Sequence, residues 1–238
     1  MRLDQYLVKK NYFRSRYRAQ QAVRDGLVKV AGLVKLKPSF ELTGEKVEVE
    51  GADFDYVSRG ALKLEAALKE FGISPEKKVC LDIGVATGGF TDLLLKNGAQ
   101  KVYAVDVGEG QLAAELVGHK KLIFRNQTDA RGLKRADFDE GLDLIVIDVS
   151  FISILQLEDA LKRITSSKTD IIALIKPQFE LGKKHKGVIS DPELIKKILK
   201  KVSKNFSESG FVLEKELPSP IKGKEGNQEY LWLLRKSS

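Results

Sequence analysis

One cysteine and two histidines in 238 residues leave little from which to build a metal centre or a covalent framework. Cys80 lies inside the apolar run Val79–Ile83 with no partner for a disulfide, which points to a buried structural thiol. His119 and His185 stand apart from any ligand-type neighbour and are expected on the surface, so no metal is expected. No segment approaches the roughly 20 consecutive apolar residues of a bilayer span. The first residues carry charge at Arg2, Asp4, Lys9 and Lys10 and lack the apolar core of a signal peptide. A cytoplasmic location without membrane association is therefore expected. Repeats and low-complexity tracts are also missing. A composition of 42% apolar and 31% charged residues suits one α/β domain with a small appendage.

What the chain does have is an uneven charge. Of 41 basic and 33 acidic residues, ten and two fall in positions 1–40, leaving 31 of each elsewhere, so the whole excess of +8 sits at one end. Such a footprint suits a polyanion, RNA or DNA, ahead of a merely solvated basic surface or an anionic membrane. Leu3, Tyr6 and Leu7 have helical spacing within 3–13, and a second helix is expected from the cap residue Ser15 through Ala19, Ala22 and Val23 to Gly26. Arg14, Arg16, Arg18 and Arg24 cluster on and before this helix and, with Arg2, are the candidate phosphate contacts. Short strands are expected at 27–30, 34–36 and 46–49. The pattern Arg2-Leu-Asp-Gln-Tyr-Leu, Ser15-Arg-x-Arg-Ala-Gln and Asp25-Gly-Leu-Val-x-Val resembles the small α+β RNA-binding domain named after a ribosomal protein of the small subunit. Ala31 stands where that domain usually has Asn, so the turn there is expected to differ.

Residues 1–50 are thus assigned to an RNA-binding domain, 51–58 to a linker, and 59–238 to a second domain beginning with a helix over 59–70. From Lys78 onward strands alternate with helices. Strands are expected at 79–83, 101–106, 121–125, 142–148 and 171–176, and helices up to Asn97, from Gln111 and from Ser153. This is the pattern of a parallel sheet covered on both faces, a Rossmann-like α/β fold. A helix over 192–206 precedes strands at 211–217 and 229–234, expected to close the sheet as a hairpin.

The run Val79-Cys-Leu-Asp82-Ile-Gly84-Val-Ala-Thr87-Gly88-Gly89-Phe90-Thr91-Asp92 reads as a strand, a glycine turn and a helix start, where backbone can approach a ligand closely. Asp106 and Val107 end the next strand, where such folds bind ribose hydroxyls. A nucleoside-containing cofactor is implied. The dinucleotide spacing G-x-G-x-x-G is absent; the glycines read G-x-x-x-G-G after Asp82, which resembles the cofactor loop of S-adenosylmethionine-dependent methyltransferases. By that resemblance Asp82 faces the amino-acid end of S-adenosyl-L-methionine and Asp129 lies near the adenine. From the residues alone Asp129 is equally an exposed helix cap. Asp148 and Lys176 each close an apolar strand, at the edge where open α/β folds place ligands and where any strand also meets solvent.

Tyr56-Val-Ser-Arg-Gly-Ala-Leu-Lys63-Leu-Glu, Ile147-Asp148-Val-Ser-Phe-Ile-Ser, Leu174-Ile-Lys176-Pro-Gln-Phe-Glu, Lys186-Gly-Val and Gly226-Asn-Gln-Glu229-Tyr resemble the TlyA family of rRNA 2′-O-methyltransferases, relatives of the FtsJ methyltransferases. The resemblance spans nearly the whole chain. It implies a Lys-Asp-Lys-Glu tetrad at Lys63, Asp148, Lys176 and Glu229, ribosomal RNA or ribosomal subunits as partner, and a cytidine as target. It further implies Lys176 steering or partly deprotonating the hydroxyl while the carboxylates orient it. Burial lowers a lysine pKa and carboxylates raise it, so base and orienting group both remain open. Members are often labelled haemolysins, which gives a membrane-active protein as one alternative and a catalytically silent RNA-binding protein as another. The buried Cys80 does not suit carbon-5 methylation by a cysteine nucleophile, and Asp148-Val-Ser-Phe151 does not match the base-amino methylation motif. The run 182–187 is expected to form a basic loop able to contact RNA or a plain solvated turn.

Overall fold

The computed structural model describes residues 1–13, 15–24, 26–49, 56–109, 112–182, 187–223 and 225–237. Arg14, residues 51–55 of the expected linker, Gln111, and 183–186 of the expected basic loop, with His185, lie outside the described residues. The chain forms two compact units, Met1–Arg59 and Gly60–Ser238.

In the first unit α1 (Leu3–Lys9) and α2 (Arg16–Arg24) precede β1 (Val28–Val30), β2 (Leu33–Val34) and β3 (Val47–Val49). The strands form an antiparallel sheet in the order β2-β1-β3. Leu3, Leu7, Ala19, Ala22, Val23, Val28 and Val30 make the core, so the residues at helical spacing are the ones that turn inward. Ser15 caps α2 by accepting from Arg18 N at 3.2 Å. α1 stops at Lys9, short of the expected 13, where Asn11 turns to φ +58. Ala31 holds its turn at φ +51, left-handed backbone that Asn tolerates better than Ala.

The second unit contains α3 (Gly60–Phe71), β4 (Val79–Ile83), α4 (Gly89–Lys96), β5 (Lys101–Val105), β6 (Leu122–Arg125), β7 (Leu144–Ile147), α5 (Glu158–Ile164), β8 (Asp170–Ile175), α6 (Pro177–Glu180), α7 (Pro192–Glu208), β9 (Phe211–Pro218) and β10 (Tyr230–Lys236). The sheet order is β6-β5-β4-β7-β8-β10-β9; the first five strands run parallel, and β10 is antiparallel to β8 and β9. Alternate residues, among them Leu81, Ile83, Val105, Ile145, Ile147, Ile171, Ile175 and Trp232, pack against Leu161 of α5 and Ile198, Val202 and Phe206 of α7. Cys80, Ala104, Val146, Leu174 and Leu231 are buried on the opposite side, and α3 packs on α4 and β10. One expectation fails. After Gln111 there is no α-helix, only a 3-10 turn at Ala114–Leu116. Ala113 and Val117, on either side of that turn, hold extended backbone and limit it to three residues. The helix expected from Ser153 begins as a 3-10 turn, Ile154–Leu157, and becomes α-helical as α5. Among the described residues no helix is long and apolar enough to cross a membrane.

The parallel strands deliver their carboxyl ends to one edge, and Gly84 brings two of them together. Its φ is +89, and a Cβ there would lie 2.5 Å from the Asp148 carbonyl oxygen and 2.9 Å from the carbonyl carbon. Gly84→Ala should destabilise the protein by about 3 kcal/mol, backbone strain plus a clash with backbone that cannot yield. Gly118→Ala, at φ +75 with nothing within 4 Å, should cost only about 1 kcal/mol. Urea unfolding of the two variants measures the difference, and equal costs would show that the approach to Asp148 is not tight.

Candidate active site

Asp148 follows β7, Lys176 follows β8, and Glu229 precedes β10. The antiparallel register that pairs Tyr230 with Ile175 sets Glu229 opposite Lys176 one step further on. Lys63 comes from the first turn of α3. The four expected tetrad residues form two ion pairs. Lys63 Nζ donates to Glu229 Oε2 at 2.5 Å, and Lys176 Nζ lies 2.5 Å from Asp148 Oδ1 while donating to Ser150 Oγ at 2.8 Å. Lys63, Lys176 and Glu229 are buried and Asp148 is half-buried. Removing such charges from water costs several kcal/mol per ion, so these pairs add little net stability and are better explained by chemistry at the edge.

The loops around the tetrad are tied to it. Gly223 leaves room for the Glu229 carboxylate, which a Cβ at 223 would strike. Buried Asn227 accepts from Ile189 N at 2.8 Å and donates to Gly187 O at 3.3 Å, joining the Glu229 loop to the segment before α7. Beyond Asp148, Phe151 takes φ +68 and is 81% exposed, its ring 5.3 Å from that of Phe179.

At the neighbouring turn, Asp82 is fully buried. Its Oδ2 accepts from Thr91 Oγ1 at 2.6 Å, and its Oδ1 has no hydrogen-bond partner. Burial, reinforced by the negative charges of Asp148 and Asp106 and opposed by Thr91, pushes its pKa up to about 7. Thr87 is half-buried, its carbonyl accepting from Ala113 N at 3.1 Å; Gly88 and Gly89 form the helix start, and Phe90 is buried in α4. Asp106 receives Ala86 N and Gly108 N, one on each oxygen and both at 2.7 Å, which leaves each oxygen a second lone pair. Val107, beside it, is 72% exposed. Asp129 is exposed, caps the 3-10 turn Ala130–Gly132 and binds Arg131, whose guanidinium holds its pKa below the usual range. Among the described residues no three His, Cys, Asp or Glu side chains converge as a metal site. His119 is exposed, and burial pushes the Cys80 thiol up to about 12.

In the first unit the expected phosphate contacts divide. Arg2 and Arg16 both bind the buried carboxylate of Asp4, Arg2 through Nε at 3.1 Å and Nη2 at 3.0 Å, Arg16 through Nε at 3.0 Å, with Gln20 Nε2 at 2.7 Å. The Arg2 hydrogen bonds hold the Asp4 pKa well below the ordinary carboxylate range despite burial. Arg18 and Arg24 lie on α2.

Residues 56–236 match the FtsJ-like methyltransferase family, and residues 1–47 match the S4 domain. The 16S/23S rRNA (cytidine-2′-O)-methyltransferase TlyA of Mycobacterium tuberculosis is 40% identical over 238 residues, which cover 98% of this chain and 89% of that protein. The chain belongs to the TlyA family of FtsJ-like methyltransferases. Another relative, Hemolysin A of Brachyspira hyodysenteriae, is 41% identical over 236 residues, 97% of this chain and 98% of the relative. A solved structure from Streptococcus thermophilus, which carries a hemolysin description, superposes with a TM-score of 0.79 at 38% identity and covers 100% of this chain and 89% of that one.

Three residues of this TlyA-family site were not singled out by sequence reasoning: Ser150, which holds Lys176; Glu180, which holds the turn after Phe151; and Asn227. Each sits inside a quoted motif, and the helical spacing from Lys176 to Glu180 was the one readable signal.

The Asp82 proton has a stability consequence. The folded pKa of about 7 exceeds the roughly 3.9 of an unfolded aspartate. The associated stability is therefore complete below the unfolded value and is lost as pH rises toward 7. Asp82→Asn, neutral throughout, should melt higher than the natural protein at pH 8 and lose most of that advantage near pH 4. Calorimetric unfolding at both values checks this, and an equal shift at both would mean that Asp82 is ionised throughout.

Proposed function

We propose that this chain transfers a methyl group from S-adenosylmethionine to the ribose 2′-hydroxyl of a cytidine in ribosomal RNA. The observation that carries the reading is the assembly of Lys63–Glu229 and Lys176–Asp148 as paired charges beside the Asp82 turn. The relative named for 16S/23S rRNA cytidine-2′-O-methylation supports the choice of substrate. Residues 1–50 serve as the RNA-binding domain, 51–58 as linker and 59–238 as the methyltransferase domain. A cytoplasmic location follows from a ribosomal substrate.

The residues fit the cofactor. The unpartnered Oδ1 of Asp82 suits an ammonium donor, the remaining lone pairs of Asp106 suit ribose hydroxyls, and exposed Val107 suits an adenine face. Gly84, Thr87, Gly88, Gly89 and Phe90 shape the turn, and Asp129 stands at its adenine end. When bound, S-adenosylmethionine supplies an electrophilic methyl on a sulfonium, so the difficulty lies with the neutral ribose hydroxyl. An ammonium at Lys176 has three donors, of which Ser150 engages one, while Asp148 Oδ1 lies at ion-pair distance without a hydrogen bond. A free donor of Lys176 would steer the 2′-oxygen, and the proton leaving that oxygen would pass to the Asp148 carboxylate, whose Oδ1 accepts no hydrogen bond. Lys63 balances Glu229 beside it, keeping the orienting charges paired. Arg2, Arg16, Arg18 and Arg24, with Arg14, contact RNA phosphates.

Labelled methyl transfer to ribosomal subunits lacking native methylation, followed by nuclease mapping, tests the reading. The natural protein should yield one ribose-methylated cytidine, and Lys176→Ala should lower kcat by at least about a hundredfold. RNA binding without transfer by the natural protein would mark a silent binding protein instead.

A further inference from the structure

Glu180 ends α6, the short helix that Lys176 opens. Its half-buried carboxylate spans a gap in sequence. Oε2 accepts from Ser153 Oγ at 2.5 Å and Oε1 from Ile154 N at 3.0 Å. The Ser153 hydroxyl also accepts from Leu155 N at 3.2 Å, so it donates to Glu180 while capping the helical run 154–164. An internal carboxylate thus fills the positive end of that run.

Between this anchor and β7 lies the turn 148–153. It is tied to the segment 176–180 at three places: Asp148 and Ser150 at Lys176, the Phe151 ring at Phe179, and Ser153 with Ile154 at Glu180. Phe151 is held in the left-handed region at φ +68, which a bulky residue keeps only where its surroundings over-determine it. Asp148 and Ser150 can hold Lys176 in one geometry only if the far end of this turn is fixed as well.

We propose that Glu180 is a positioning residue for methyl transfer: by clamping Ser153 and Ile154 it fixes the 148–153 turn, and with it the partners of Lys176, in the reacting arrangement. The inference rests on the function proposed above. Burial raises the Glu180 pKa above its ordinary value, opposed by its bonds from Ser153 and Ile154 and by Lys201 of α7. Protonation removes an acceptor from the clamp, so acid loosens it.

Glu180→Gln, Ser153→Ala and the double variant test this in the full-length protein. The readouts are kcat and KM for RNA and for S-adenosylmethionine, the pH profile of kcat, and the unfolding midpoint. Glu180→Gln should lower kcat roughly ten- to a hundredfold, the loss expected of a small misplacement. KM for S-adenosylmethionine should stay within about twofold. The acid limb set by a raised carboxylate should vanish from the kcat profile of Glu180→Gln, and the double variant should be no slower than the slower single one, because both act through one bond. If Glu180→Gln does not fold, Ser153→Ala, which keeps the carboxylate, carries the same kcat expectation. An undiminished kcat, additive losses, or a loss matched by falling melting temperature and cofactor binding would overturn the clamp. No transfer by the natural protein would remove the proposed function and the clamp together, whereas transfer that ignores both substitutions removes the clamp alone.

Discussion

Two ammonium groups and two carboxylates share one edge of the sheet with little water to screen them, and the irregular parts of the second unit are built around keeping them paired. A buried ion alone is far more costly than a buried pair, so each partner must be held where the other needs it. Gly84 lets the first glycine turn press against the Asp148 backbone, Gly223 clears space for Glu229, and Asn227 ties the Glu229 loop to the segment before α7. The regular strands need none of these devices. They serve as a frame whose carboxyl ends deliver the charges.

The frame was the most legible part of the sequence. Continuous apolar runs such as Leu144–Ile147 mark strands buried on both faces, and the charge that ends each run marks where the chain leaves the sheet. Lys63, Asp148, Lys176 and Glu229 could be named from motifs, but their division into two ion pairs could not, because the pairing depends on how β10 registers with β8. Short carboxylates after strands carry two readings at once. Asp106 and Asp129 both accept from nearby backbone amides, as Asp side chains commonly do, and for Asp129 the sequence offered a helix cap beside the ligand-facing role. The missing helix after β5 shows a limit of its own, since residues suited to a helix there form only a three-residue turn between extended flanks.

Charge counting marks the arginines of the first unit but not the carboxylate that two of them already hold. Asp4, four positions from the start, holds Arg2 and Arg16, the latter 12 residues away. Part of the donor capacity of both guanidinium groups is therefore already engaged, and Asp4 sets their orientation.

The Lys63–Glu229 bond closes over 166 residues. At common rates of synthesis, roughly ten to thirty seconds separate the two side chains as the polypeptide is made. For that interval Lys63 is without Glu229 and the sheet lacks β10. The pair, and with it the completed sheet edge, therefore forms only after β9 and β10 have been made and β10 has joined β8.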